Sequence, residues 1–282
     1  MNRRDGVHLV LLGAIWGAIY PLTTVALRDL TPATIVVTRT ALSAVVLIPF
    51  AIHSGALSTL RVRPVAVLVA ALLQVAIPLM LLTIGQQYVS AGLAGILVAT
   101  QPVWAAVMAV IITRAVQRRL FAGVSLGLAG VALLFLQDVD LANTSGWGAA
   151  ALIAAAAFIA AGSIWTEQAL PEIPPLGAAT ASMTISALML APVASVTGIH
   201  LPGLSTTLAL LILSLVSTAG ALVLFYALIH RVGAARANLA GYLDPGFAIA
   251  YSMILLGERV TPAALIGLLL ILTGSYVGAT SR

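Results

Sequence analysis

Turn residues divide the chain into ten apolar runs, at about 7–27, 33–52, 65–86, 91–113, 120–137, 146–168, 176–198, 205–230, 235–256 and 262–280. An α-helix rising 1.5 Å per residue needs about 20 mostly apolar residues to cross a hydrocarbon core. Within lipid each backbone N–H and C=O must be satisfied inside its own segment, so each run predicts a helix. Thr31-Pro32, Arg63-Pro64, Pro171 with Pro174-Pro175, Leu201-Pro202-Gly203 and Thr261-Pro262 punctuate the runs. The expected fold is all-α: a polytopic membrane protein with ten transmembrane helices.

Composition agrees with that reading. Of 282 residues 61% are apolar and 7% charged, against roughly 25% charged in an ordinary soluble domain. Ten spans consume about 200 residues, which leaves loops but no separate soluble domain. The start, with Arg3-Arg4 before an apolar run, has the look of a signal peptide. The run continues to about Leu27 and nine more follow, so it is read as a retained first helix.

All thirteen basic residues are arginine, spread in or near the loops, so the net charge of +5 reads as topology and not as nucleic-acid binding. With the N-terminus inside, the inner loops hold Arg3, Arg4, Arg61, Arg63, Arg114, Arg118, Arg119, Arg231, Arg236 and Arg282. The outer loops then hold only Arg28 and Arg259, with Arg39 inside the second helix. Positive loops stay cytoplasmic. The expected location is therefore the cell (inner) membrane, multi-pass, with both termini cytoplasmic and the loops at 138–146 and 200–205 outside.

Several function classes are excluded or weakened. With no cysteine, disulfides, thiolate catalysis and Cys-ligated metals are excluded, while His and carboxylate sites stay open. Neither HExxH nor CxxC is present and the four histidines are scattered, so neither catalytic residues, a bound metal nor a cofactor is expected. A channel would show a repeated filter or a ring of charge, and neither is visible.

An internal repeat is legible at an offset of 143, where Pro32 matches Pro175, Pro49 matches Pro192, Gly55 matches Gly198 and Pro102 matches Pro245. After the fourth run an offset of 144 aligns Gly123 with Gly267 and Gly130 with Gly274. The halves, 1–140 and 141–282, then hold five helices each. Because five is odd, the second must enter the membrane inverted, an arrangement typical of secondary transporters with substrate sites at the midplane.

Ala14-Ile15-Trp16-Gly17, Pro32, Arg39, Gln101-Pro102, Asp244-Pro245, Leu256-Gly257-Glu258-Arg259 and the Gly267-to-Gly274 face stand in an order that resembles the drug/metabolite transporter superfamily, in its EamA-type ten-helix members. The resemblance covers nearly the whole chain, and its nearest look is to the aromatic amino acid exporters, the YddG-like branch. One departure is Arg114-Ala115-Val116-Gln117-Arg118, where such proteins often repeat a Gly-Glu-Arg turn. The resemblance implies export of small metabolites, amino acids among them, by alternating access. The implied partners are a small-molecule substrate and the bilayer, without nucleic acid, in a monomer or homodimer.

Candidate substrate-binding residues follow from polarity and aromaticity at depth. Asp244 and Gln101 hold matching repeat positions, each before a proline that removes a backbone donor. A polar side chain at that depth is costly unless hydrated or paired, so both point to broken helices beside a polar cavity, or else to caps on the restarting helices. Arg39 lies about two turns into its helix. It is expected either to pair with Asp29 or another acid near the outer face, or to bind a substrate carboxylate. Trp16 and Tyr20 share one helix face beside Gly13 and Gly17. Trp104, Trp165, Tyr226 and Tyr242 are further candidates for an aromatic-lined pocket, against the alternative of an interfacial belt that suits Trp147 and Tyr276. Gln74 and Asn238 complete the set, while His230 reads as an interhelical hydrogen-bond partner. The glycines 123, 127 and 130, with 267, 274 and 278, read as packing or dimer faces.

Overall fold

Residues 3–57, 63–113, 145–195, 202–259 and 261–279 are described in a computed structural model, together with 122–123, 125–127, 129–130 and 133. Most of the run at 120–137, the loop at 138–144 and residues 58–62 lie outside the described residues. All regular structure among the described residues is helical. Eight helical spans are long and apolar enough to cross a membrane, and the helix Pro262–Ala279 holds a shorter apolar stretch, Leu265–Gly274.

Numbered by the apolar run of the sequence that each occupies, the first span is α1 (Arg3–Gly17) and α2 (Ile19–Ala26), and the second is α3 (Pro32–His53). Thr31 starts α3 by accepting from the Thr34 N–H at 3.3 Å, with Pro32 at the first helical position where no donor is needed. The third is α4 (Pro64–Ala71), a π-helical stretch Leu72–Ala76 and α5 (Ile77–Gly85); the fourth is α6 (Ala91–Val98) and α7 (Gln101–Thr113). The sixth and seventh are α8 (Ser145–Ala169) and α9 (Pro175–Ser195). The eighth is α10 (Leu204–Ser214), a second π-helical stretch Leu215–Gly220 and α11 (Ala221–Val232). The ninth joins α12 (Ala234–Ala237), a 3₁₀ turn Asn238–Tyr242 and α13 (Asp244–Leu256), and α14 (Pro262–Ala279) follows.

The offset that relates the prolines also relates these irregularities. Leu72 and Leu215, which open the two π-helical stretches, are 143 residues apart, as are Gln101 and Asp244, which restart α7 and α13. Packing follows the same rule. The third span packs on the sixth as the eighth packs on the first, and α3 packs on α9, its own counterpart.

Small residues set the closest approaches, because in lipid the gain from association is van der Waals contact between backbones. A Cβ added at Gly17 would lie 2.5 Å from the Phe247 Cβ and 2.9 Å from the Ala248 N, so α1 lies directly on α13. The glycine faces flanking the fourth span meet each other within the chain. A Cβ at Gly130 would lie 2.7 Å from the Gly267 carbonyl oxygen, and one at Gly274 would lie 2.5 Å from that of Gly123. These pairs exchange partners under the offset of 144, so this face is internal packing between the two halves.

Candidate functional site

The cavity between the halves is set by the broken helices. Proline at 102 and at 245 cannot donate to the preceding turn, so the fourth and ninth spans restart at Gln101 and Asp244 and turn those side chains inward. The π-helical stretches of the third and eighth spans add one residue to a turn, which rotates Gln74 and Ser217 toward the same space. About 580 Å³ of space not filled by protein atoms results, open solvent at its mouth included, lined by Trp16, Ile19, Tyr20, Arg39, Gln74, Val75, Leu79, Leu82, Val98, Gln101, Ile159, Met183, Ser217, Thr218, Leu222 and Asp244. Trp16 and Ile159, Gln74 and Ser217, Val75 and Thr218, Leu79 and Leu222, and Gln101 and Asp244 are each 143 residues apart. Equivalent positions of the two halves thus line the same cavity.

The wall is mostly apolar, and its polar atoms are incompletely satisfied. Tyr20 donates its hydroxyl to Asp244 Oδ2 at 3.0 Å, whereas Asp244 Oδ1 has no hydrogen-bond partner among the described residues. Arg39 donates from Nε to the Thr218 hydroxyl, and its Nη1 is likewise unpartnered. Gln74 Oε1 and Ser217 Oγ complete this set. Gly162 makes room for Gln74, since a Cβ there would lie 2.7 Å from Gln74 Oε1. Buried polar atoms without partners are rare in proteins, and four of them are grouped around this one cavity.

The structure corrects the expected ion pair. Among the described residues Arg39 pairs with no acid; Asp29 instead accepts from the Gly203 N–H at 3.0 Å and from the Thr206 hydroxyl at 2.6 Å. The reason is depth: Arg39 is 1% exposed and lies against the π-helical stretch, while Asp29 sits in a loop at the span ends. The alternative that Asp244 caps its helix is not met either, because no side chain caps α13 and one Asp244 oxygen faces Tyr20.

Of the candidates read from sequence, Trp16, Tyr20, Arg39, Gln74, Gln101 and Asp244 line the cavity. Asn238 stands behind it, accepting from the Gln101 amide and donating to the Ser163 hydroxyl at 2.7 Å and the Ala234 carbonyl at 2.8 Å. Trp104, Trp165 and Tyr226 do not line it. Trp104 packs in the core formed around the first, fourth and sixth spans. Trp165 donates its indole N–H to the Ala66 carbonyl at 3.0 Å, and the Tyr226 hydroxyl is 3.2 Å from that of Ser182. The side chain of Tyr242 lies outside the described residues. Ser217, Thr218 and Ile159 were missed, although carrying Gln74 and Trp16 through the offset of 143 points to Ser217 and Ile159.

No curated protein matches the chain. A solved structure described only as a crystal structure of a protein is similar with a TM-score of 0.74, covering 99% of this chain and 98% of that one at 17% identity, which shows the fold alone. The EamA-like transporter family matches twice, over residues 5–136 and 146–279. With multiple apolar spans around a cavity on a repeated frame, the chain belongs to the EamA-like transporter family, multi-pass membrane proteins that transport small molecules and not enzymes.

Proposed function

We propose that the protein is a secondary transporter that exports amino acids, aromatic ones included, across the cell inner membrane by alternating access. The carrying observation is that two of the free polar atoms on a mostly apolar wall belong to groups of opposite charge: Arg39 Nη1 as a cationic donor and Asp244 Oδ1 as an acidic acceptor. A guanidinium suits a carboxylate, a carboxylate suits an ammonium, and each such bond is stronger than one between neutral groups. The indole of Trp16, with Ile19, Leu79 and Leu82, offers the apolar surface a side chain would need.

Two inverted five-helix repeats, 1–140 and 141–282, with both termini cytoplasmic, are the frame for this reading. The reciprocal glycine contacts and the paired π-helical stretches support it, since an inverted repeat places equivalent walls on either side of one midplane site.

Counterflow in proteoliposomes tests it, using an aromatic amino acid, its decarboxylated amine and its deaminated acid. Saturable exchange of the amino acid that exceeds exchange of either one-charge analogue is expected. Equal exchange of all three would replace amino acids with a broader class of amphipathic metabolites or drugs. Flux that never saturates would make the protein a facilitative pore.

A further inference from the structure

The fourth and ninth spans each open on a helical segment whose N-terminal tip is held by a carboxylate from another span or its flanking loop. At one membrane face Glu258 Oε1 accepts from the Ala91 N–H and Oε2 from the Gly92 N–H, both at 2.9 Å, at the start of α6. Gly257, at φ +67°, makes the left-handed turn that aims Glu258 back toward α6. At the other face Glu167 Oε2 accepts from the Ala234 N–H at 3.1 Å, at the start of α12. Ala91 and Ala234 are 143 residues apart, so the two held tips occupy equivalent places in the repeat, while the carboxylates that hold them come from different positions.

That the clasps lie on opposite faces follows from chain tracing. Arg63 donates to the Ala169 carbonyl at 3.2 Å, which places Arg63 at the Glu167 end of α8. The span Pro64–Gly85 then crosses, and Ala91 begins the return from the far side. Each clasped segment also ends at the cavity. Helix α6 stops at the wall residue Val98, and a turn at Ala99 and Thr100 precedes Gln101; the 3₁₀ turn Asn238–Tyr242 precedes Leu243 and Asp244.

We propose that Glu258 and Glu167 are the two latches of the transport cycle. Releasing one lets its half-helix swing at the Gln101 or Asp244 break and opens the cavity to that face, while the other holds the opposite face shut. The chemistry suits a reversible latch: backbone N–H groups at a helix start attract a carboxylate. Glu258 is half-buried and Glu167 exposed, so water replaces the lost bonds when a clasp opens. What passes through the opened cavity rests on the transport reading above; the latches themselves do not.

The absence of native cysteine makes the test direct. Ser217→Cys places a thiol on the cavity wall, and a small impermeant methanethiosulfonate is applied to right-side-out and inside-out vesicles without substrate. In that background Glu258→Ala is expected to raise labelling several-fold from one face, and Glu167→Ala from the opposite face. Glu258→Gln and Glu167→Gln, which keep a neutral acceptor, should act in the same directions by less, and they carry the test if an alanine variant does not fold. Both variants acting from the same face, either acting equally from both faces, or neither acting in protein with wild-type thermal stability would overturn the latches. Sided labelling without amino acid exchange would instead leave the latches standing and sink the substrate reading.

Discussion

Tyr20 on the first span donates its hydroxyl to Asp244 at 3.0 Å, whereas their counterparts one repeat away, Ser163 and Gln101, are joined through Asn238. Size explains the exchange. The Asn238 counterpart is Gly95, where an added Cβ would lie 3.4 Å from the Tyr20 ring. A large Tyr20 over a glycine in one half matches a small Ser163 beside an Asn in the other. Backbones of the two halves correspond while the chemistry of the wall does not: Arg39 answers to Ser182 and Asp244 to Gln101. An unequal wall can bind a substrate in a single orientation.

The two charges are expected to separate by substrate. Arg39→Gln should raise KM for an amino acid about tenfold or more, since hydrogen bonds to charged groups are worth about 1.5–3 kcal/mol, and should abolish its advantage over the decarboxylated amine. Asp244→Asn should abolish its advantage over the deaminated acid instead. Proteoliposome exchange with the three ligands, with thermal stability as the folding control, decides. An equal loss for all three in both variants would assign these residues to packing.

Aromatic selectivity should reside at Trp16 and not at Trp104. Trp16→Ala is expected to weaken exchange of aromatic substrates relative to small aliphatic ones by on the order of 1 kcal/mol, the scale of an aromatic contact. Trp104→Ala should lower thermal stability and reduce both substrate types alike, because Trp104 packs in the core and not on the cavity. Competition between a labelled aliphatic substrate and an aromatic one measures both, and the reverse pattern would move the apolar subsite to Trp104.

Single cysteines at the exposed Ser54 and Gln87 check the orientation, since they flank opposite ends of the third span. Gln87→Cys should react with an impermeant thiol reagent on intact cells, and Ser54→Cys only after permeabilisation. The opposite pattern would invert the arginine-based topology.

Acid should loosen the contact between the first and eighth spans. The Thr206 hydroxyl and then the Gly203 N–H hold the Asp29 carboxyl below its ordinary value. A depressed folded-state value means that the stabilising effect is present above the unfolded value of 3.8 and is lost as pH falls through the lower, folded one. The Asp29→Asn variant should therefore show a shallower decline in thermal stability below about pH 4 than wild type. Parallel declines in the two proteins would remove Asp29 from the acid response.

Sequence alone determined that this is a membrane protein of repeated apolar spans, because spanning length and backbone satisfaction leave no other use for such runs. It also placed the breaks at Gln101-Pro102 and Asp244-Pro245, since proline acts locally whatever surrounds it, and the prolines exposed the offset of 143. It did not decide which way each helix is turned about its axis. Lipid is as apolar as the protein interior, so residues facing either are alike, and Trp16 on the cavity reads the same as Trp104 in the core. The partner of Arg39 was beyond reach for a related reason: the π-helical stretch that presents Thr218 arises where the eighth span packs against its neighbours, and its residues LVSTAG carry no local signal for it. Only the tertiary structure brought Arg39, Gln74, Ser217 and Asp244 around one space, because that depends on how the two halves meet and not on the order of residues within either.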